Sequence, residues 1–292
     1  MAIASNNEYP SVLFTQQSDS PTGAVNAGNW RLFFKSDGLY SVNSSSNIIG
    51  PYGTSGSSGG IGADGWDGAV ALTYVSSDSP TYSVSCTGDK TTSYYPGMRI
   101  KLTDVSTKYF IITSASYSTS TVLTLYGGTD YVLSGSPITN PYYSSAKAPA
   151  GFPLDPTKWT LETSGSTSAV QTNPSQHTWY NLGSLSINIP LGLWKIEYHV
   201  CAYAYDGTSG AVNIKSTLST ANNSESDASM SARLYVESGT TIIGTHYKSK
   251  FLTLASKATY YLNANTSHAS QDEIGHRGDY TSTIIRAISS YL

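Results

Sequence analysis

Residues 194–201 read Trp-Lys-Ile-Glu-Tyr-His-Val-Cys, and their order decides the fold class. Trp194, Ile196, Tyr198 and Val200 alternate with Lys195, Glu197, His199 and Cys201. A period of two places one set on each face of a pleated strand. His199 either turns inward with a hydrogen bond or faces solvent. The same period recurs on both sides of this stretch. Leu185, Ile187 and Ile189 alternate before it, and Ala232, Leu234 and Val236 alternate with Arg233, Tyr235 and Glu237 after it. Further upstream, Met98, Ile100 and Leu102 alternate with Arg99, Lys101 and Thr103. The runs 109–112 and 122–126 follow at about 12-residue spacing, and Gly127-Gly128 supplies a turn. Near the start, Trp30, Leu32 and Phe34 share one face and Arg31, Phe33 and Lys35 the other. Ser36-Asp37-Gly38 is turn chemistry and residues 39–42 return, so a β-hairpin is expected there. The strand-like run 280–292 is expected to be tied into a sheet. Helical periodicity is hard to find anywhere.

Composition agrees. Only 12% of the 292 residues are charged, against about 25% in an ordinary domain. The chain carries 23 Tyr and 26 Gly and is rich in Ser and Thr, which suits many short strands joined by tight turns. Net charge is −3, with no Lys/Arg cluster, so electrostatic binding of nucleic acid is disfavoured. The longest apolar run, Val200 to Tyr205, is six residues, far short of a membrane span. The first residues show no basic stretch followed by an apolar one, so no secretory signal is expected. Cys86 and Cys201 lie far apart, without metal-ligand spacing, and read as buried free thiols.

Gly50, Gly53, Gly56, Gly59, Gly62, Gly65 and Gly68 keep a strict period of three. In a collagen triple helix every third residue faces a shared axis where only hydrogen fits; a flexible Gly/Ser linker has no reason to keep phase. A short collagen-like stem is therefore expected, and with it a homotrimer, with β domains on both sides to fix the chain ends. Two motif matches in the tract, Gly60-Ile61-Gly62-Ala63-Asp64-Gly65 and Gly56-Ser57-Ser58-Gly59-Gly60, lack the strand and helix that would give them meaning.

The expected layout is all-β throughout: an N-terminal arm and hairpin (1–49), the stem (50–69), a small barrel or sandwich neck (70–153), and a C-terminal jelly-roll-like sandwich head (154–292). The motif Pro149-Ala150-Gly151-Phe152-Pro153 marks the boundary between the last two.

An enzyme needs a nucleophile, a base and an orienting group. The five histidines, His177, His199, His246, His268 and His276, show no metal-binding spacing, so neither a metal nor a cofactor is expected. Glu225/Asp227 and Asp272/Glu273 sit in Ser/Asn-rich stretches and read as solvated loop charges rather than a glycosidase pair. Arg277-Gly278-Asp279 spells an integrin tripeptide, but a turn chosen for its Gly explains it. For carbohydrate recognition, aromatic faces stack on sugar rings while Asp, Asn and Arg take the hydroxyls. Two stretches read as loops with that mixture: 203–207, with Tyr205 and Asp206, and 265–279, with Asn265, His268, Gln271, His276 and Arg277. Tyr203 and Tyr205 read equally well as core or trimer-interface residues.

Residues 29–40, Asn-Trp-Arg-Leu-Phe-Phe-Lys-Ser-Asp-Gly-Leu-Tyr, ending in Ile48-Ile49-Gly50-Pro51, resemble an N-terminal module of tailed-bacteriophage structural proteins. The stretch from Pro96-Gly97-Met98-Arg99-Ile100-Lys101-Leu102 through Tyr109-Phe110-Ile111-Ile112, Tyr131-Val132-Leu133, Pro141-Tyr142-Tyr143 and Gly151-Phe152-Pro153 is similar to a β module of phage fibre and virion proteins. The resemblance implies a non-enzymatic virion fibre made in the bacterial cytoplasm. Residues 1–49 would grip capsid, collar or tail proteins, and the head would contact a host-surface glycan. A decoration fibre with a purely structural role is the alternative, and a depolymerase a third.

Overall fold

The computed structural model describes residues 3–6, 9–12, 30–35, 38–45, 48–52, 64–208 and 210–292. Among these there is no α-helix; strands joined by turns and three short 3₁₀ segments make up the chain. The all-β expectation holds. The chain divides into two compact units, Met1–Ala63 and Asp64–Leu292.

In the first unit, β1 (Ile3–Asn6) pairs with β2 (Tyr9–Val12), and β3 (Trp30–Lys35), β4 (Gly38–Asn43) and β5 (Ile48–Tyr52) form a three-stranded antiparallel sheet. The β3–β4 hairpin closes with Lys35 opposite Gly38. Its buried face carries Phe33, Tyr40 and Val42, with the Phe33 and Tyr40 rings stacked at 5.5 Å, while Leu32 is exposed on the other. Gly50 lies within β5; Gly53, Gly56, Gly59 and Gly62, the whole Gly56–Gly60 match, and the Gly60–Gly65 match apart from Asp64 and Gly65, lie outside the described residues.

The second unit opens with a seven-stranded sheet: β6 (Asp67–Gly68), β7 (Thr73–Asp78), β8 (Thr81–Thr87), β9 (Arg99–Asp104), β10 (Ser106–Tyr117), β11 (Ser120–Tyr126) and β12 (Thr139–Ser144). The order is β6-β12-β9-β10-β11-β8-β7. Gly65 turns into it at φ +81°, and Gly68 pairs with Tyr142; a triple helix needs φ near −75°. The last two glycines of the period therefore belong to a turn and a sheet. One face of this sheet packs Val84, Ile100, Leu102, Phe110, Ile112, Leu123 and Leu125 together. Tyr109 and Ile111 point the opposite way into a second core, which explains why residues 109–112 are apolar without alternation.

That second core belongs to a β-sandwich built from β13 (Thr160–Gly165), β14 (Ser168–Thr172), β15 (Trp179–Tyr180), β16 (Ser186–Ile189), β17 (Gly192–Tyr205), β18 (Val212–Ser219), β19 (Ser231–Val236), β20 (Thr241–Leu254), β21 (Ala258–Asn265), β22 (Glu273–Arg277) and β23 (Thr283–Ser289). The 14-residue β17 is the spine of one sheet. β20 pairs along its whole length on one side; β23 and β22 share the other side and carry β13 and β14. The second sheet runs β15-β21-β18-β19, with β16 on another part of β21. Trp194, Ile196, Tyr198 and Val200 meet Ile187, Leu218, Tyr260 and Leu262 between the sheets. Each such fully buried apolar side chain contributes about 1.5–3 kcal/mol. His199 faces outward with its strand neighbours Lys195 and Glu197, half-buried. The run 280–292 supplies β23, held between β13 and β17.

The core is continuous across the boundary at residues 149–153. Trp66, Ile111, Tyr126 and Phe152 pack with Trp159 and Trp194, and the Phe152 and Trp159 rings stack at 5.1 Å. Arg99, fully buried, clamps the same junction: its guanidinium donates to the carbonyls of Gly97, Lys147 and Tyr291 and lies 4.8 Å from the Phe152 ring centre. Burial pushes its pKa down to about 10. Cys86 and Cys201 are both buried and free, as expected.

Candidate functional site

Register, rather than proximity in sequence, builds the site. Trp179 on β15 stands opposite Asn265 on β21. Asn265 stands opposite Lys215 on β18, and Lys215 opposite Arg233 on β19. The result is one row, Trp179–Asn265–Lys215–Arg233, across the outer face of the second sheet. Side chains facing one another across adjacent strands lie within reach of a common small ligand. Together with His177, Asn213, Glu225 and Ser267 the row lines a cavity of about 350 Å³, at the lower end of the range for ligand pockets.

The groups in the row differ in how far the fold has used them. Lys215 is committed: its ammonium holds Glu225 at 2.6 Å and lies 5.4 Å from the Trp179 ring centre. Burial works against ionisation of Glu225, yet hydrogen bonds from Lys215 and Ser231 hold its carboxyl below the ordinary range. Arg233 is exposed and, among the described residues, donates only to Ser267 Oγ at 3.1 Å, with its guanidinium 5.0 Å from the Tyr235 ring centre. Among the described residues no carboxylate pairs with it. Asn265 is 7% exposed, and its amide makes no hydrogen bond to any described residue. Its side-chain polar atoms are not among those sealed from solvent without a partner, so they open into the cavity. Trp179 is open in the same way. Trp66, Trp159 and Trp194 each donate the indole N–H to a carbonyl at 2.8 Å, whereas the half-buried Trp179 donates to no described residue.

The other sequence-selected residues lie elsewhere, on strand ends as well as loops. Residues 203–205 are the end of β17, and residues 273–277 form β22 within a sheet. The polar character of 265–279 hides this strand, because its half-buried end positions carry Glu273 and Arg277 on either side of the buried Ile274, Gly275 and His276. Tyr205 ends β17 half-buried. Asp206 is buried, accepts from the Thr208 amide and hydroxyl at 2.8 and 2.5 Å, and lies 3.8 Å from His268. Those Thr208 bonds hold its carboxyl below the ordinary range. Gln271, buried, accepts from the Asn213 amide and the Thr266 hydroxyl and donates to the Glu273 carbonyl. It braces the wall of the cavity from behind. His276 lies in the core against Ser216 Oγ at 3.1 Å, beside His246, whose two ring nitrogens have no partner among the described residues. Burial holds both imidazoles neutral, with pKa values of about 3 at His276 and about 4 at His246. Arg277 and Asp279 form a two-pronged ion pair with each other, and a Cβ on Gly278 would stand 2.4 Å from the Thr167 carbonyl oxygen. The tripeptide is thus a closed turn that needs its Gly. Of the seven chosen residues, Asn265 lines the cavity. Trp179, Lys215 and Arg233 were missed.

The candidate carboxylates are internally engaged too. Asp227 caps a 3₁₀ turn and holds Lys250, Asp272 accepts from the Gly207 amide, and Glu273 accepts from the Tyr203 hydroxyl. No group of three or more His, Cys, Asp or Glu suited to a metal ion occurs among the described residues, and none of their helices is long and apolar enough to cross a membrane.

Fold and site together define an all-β chain whose sandwich carries a polar, aromatic-walled cavity on one outer face. No protein-family model matches the chain, and no curated protein is similar to it. Among solved structures, dimeric latent PorU from Porphyromonas gingivalis aligns at 11% identity over 77% of this chain and 24% of that one, with a TM-score of 0.25. The chain thus spans about a quarter of that protein's length, and a likeness of this size carries no inference about fold or function.

Proposed function

We propose that the chain is a non-enzymatic subunit of a homotrimeric tailed-phage virion fibre that binds host-surface carbohydrate through the β-sandwich. Residues 1–49 attach it to other virion proteins, and a collagen-like stem, confined to the span from Gly53 to Gly62, separates that attachment from the jelly-roll-like head. The phase of the glycines and the resemblance of residues 29–51 and 96–153 to phage virion modules support the fibre reading. The observation that carries the binding reading is the row Trp179–Asn265–Lys215–Arg233. It combines an indole face with an uncommitted amide and an uncommitted guanidinium, the groups that stack on a sugar ring and take its hydroxyls. Three such sites per fibre would turn weak single contacts into firm attachment.

Two measurements test this. Light scattering of the full chain should give about 93 kDa, three chains of 31.1 kDa. The same protein on a glycan array should retain saccharides, and Trp179→Ala should release them. A monomer overturns the fibre geometry; retention of saccharides by the variant at wild-type strength overturns the site. A trimer that retains no saccharide and still attaches to the virion would leave the structural, decoration-fibre role.

A further inference from the structure

We infer that the cavity selects acidic saccharides, with a sugar carboxylate held by Arg233; the inference rests on the carbohydrate-binding reading above and names its ligand class. The charges in the row do not cancel. Lys215 and Glu225 neutralise each other at 2.6 Å, which leaves the Arg233 guanidinium as the net charge of the cavity when His177 is neutral. Ser267 occupies one of the five guanidinium N–H donors. The remaining donors form a fork matched to a carboxylate.

The surroundings fix which way such a ligand lies. Asn213 Oδ1 accepts from both the Ser267 amide and its hydroxyl, at 3.0 and 3.1 Å. Ser267 is therefore anchored, and through it so is the guanidinium. Gln271 in turn accepts from the Asn213 amide. Arg233 closes one end of the row and Trp179 the other, with the Asn265 amide between them. A uronic or sialic acid residue would place its carboxylate at Arg233, its ring hydroxyls at Asn265 and a neighbouring sugar face at Trp179. A neutral sugar fills the same space but leaves the guanidinium without an anion. Because charge-assisted hydrogen bonds are stronger than neutral ones, the acidic form should bind about tenfold tighter or more.

The test uses the full chain on an array that pairs uronate- and sialate-bearing oligosaccharides with their carboxyl-reduced counterparts. Wild type should prefer the acidic member of each pair about tenfold, and added salt should narrow the gap. Arg233→Gln should bring the ratio close to one, with the acidic member of each pair losing far more affinity than its neutral counterpart. Trp179→Ala should weaken both members together. Equal binding of both members by wild type, or a ratio unchanged in Arg233→Gln, overturns the acidic selectivity and leaves carbohydrate binding standing. Retention of no saccharide by folded, trimeric wild type overturns both readings.

Discussion

The row Trp179–Asn265–Lys215–Arg233 and the cluster at residues 203–210 and 268–279 have nearly the same ingredients: aromatics, amides, cations and carboxylates. In the cluster the fold has consumed most of them. Arg277 holds Asp279, Tyr203 holds Glu273, Asp206 holds Thr208, and Asp272 holds the Gly207 amide. In the row an indole N–H, a whole carboxamide and most of a guanidinium remain open. Residue type says what a site can do; the hydrogen bonds already made say which groups are left to do it.

The sharpest way to test the committed side is through pH. His246 and His276 are neutral when folded, with pKa values lowered from 6.5 to about 4 and about 3. The unfolded chain takes up protons that the folded chain does not, so their contribution is complete above pH 6.5 and is lost as pH falls toward the folded values. At pH 4.5 the loss should reach about 2–3 kcal/mol per histidine, read by urea denaturation at pH 7.5, 5.5 and 4.5. His246→Leu should flatten the slope; equal stability at all three values would contradict a buried, neutral pair. Gly278→Ala comes next. Its methyl group meets the Thr167 carbonyl oxygen, and about 1–3 kcal/mol of stability should be lost, seen as a lower denaturation midpoint with unchanged saccharide binding. Loss of binding instead would place the Arg277 turn in the site. Trp179→Ala should reverse that pattern, with about tenfold weaker saccharide binding and little change in midpoint. The smallest effect should come from Arg277→Gln. An exposed ion pair of this kind is screened by solvent and contributes little, so the denaturation midpoint should hardly move and binding should change less than twofold. A larger drop in binding would erase the contrast between the two regions.

Much of the fold is legible in the sequence. Alternation at 194–200 names the inward face of β17 residue by residue, and alternation at 232–236 gives β19 correctly. The strand at 109–112 is legible from its spacing although its burial on both faces is not, and legibility fails where small and polar residues build a strand, as in β22. Alternation in β3 is also blind to direction: the buried face is that of Phe33, not Leu32. The site is harder to read. Its four members are brought together by three strand registers joining residues up to 86 positions apart, from Trp179 to Asn265. No local pattern encodes that juxtaposition, and composition alone drew attention to Gln271 and His276, whose polarity serves the interior.

The core shared by the seven-stranded sheet and the sandwich has a mechanical consequence. Because Trp66, Tyr126 and Phe152 are packed with Trp159 and Trp194, and Arg99 is bonded to the Tyr291 carbonyl, residues 64–292 form one stiff body. A tug on the cavity is carried through β17 and its Trp194 end into β10 and β11, with no slack at residues 149–153 to absorb it. Such a body should yield in a single step under load and in a single calorimetric transition on heating, so that whatever the sandwich grasps is felt at the other end of the unit.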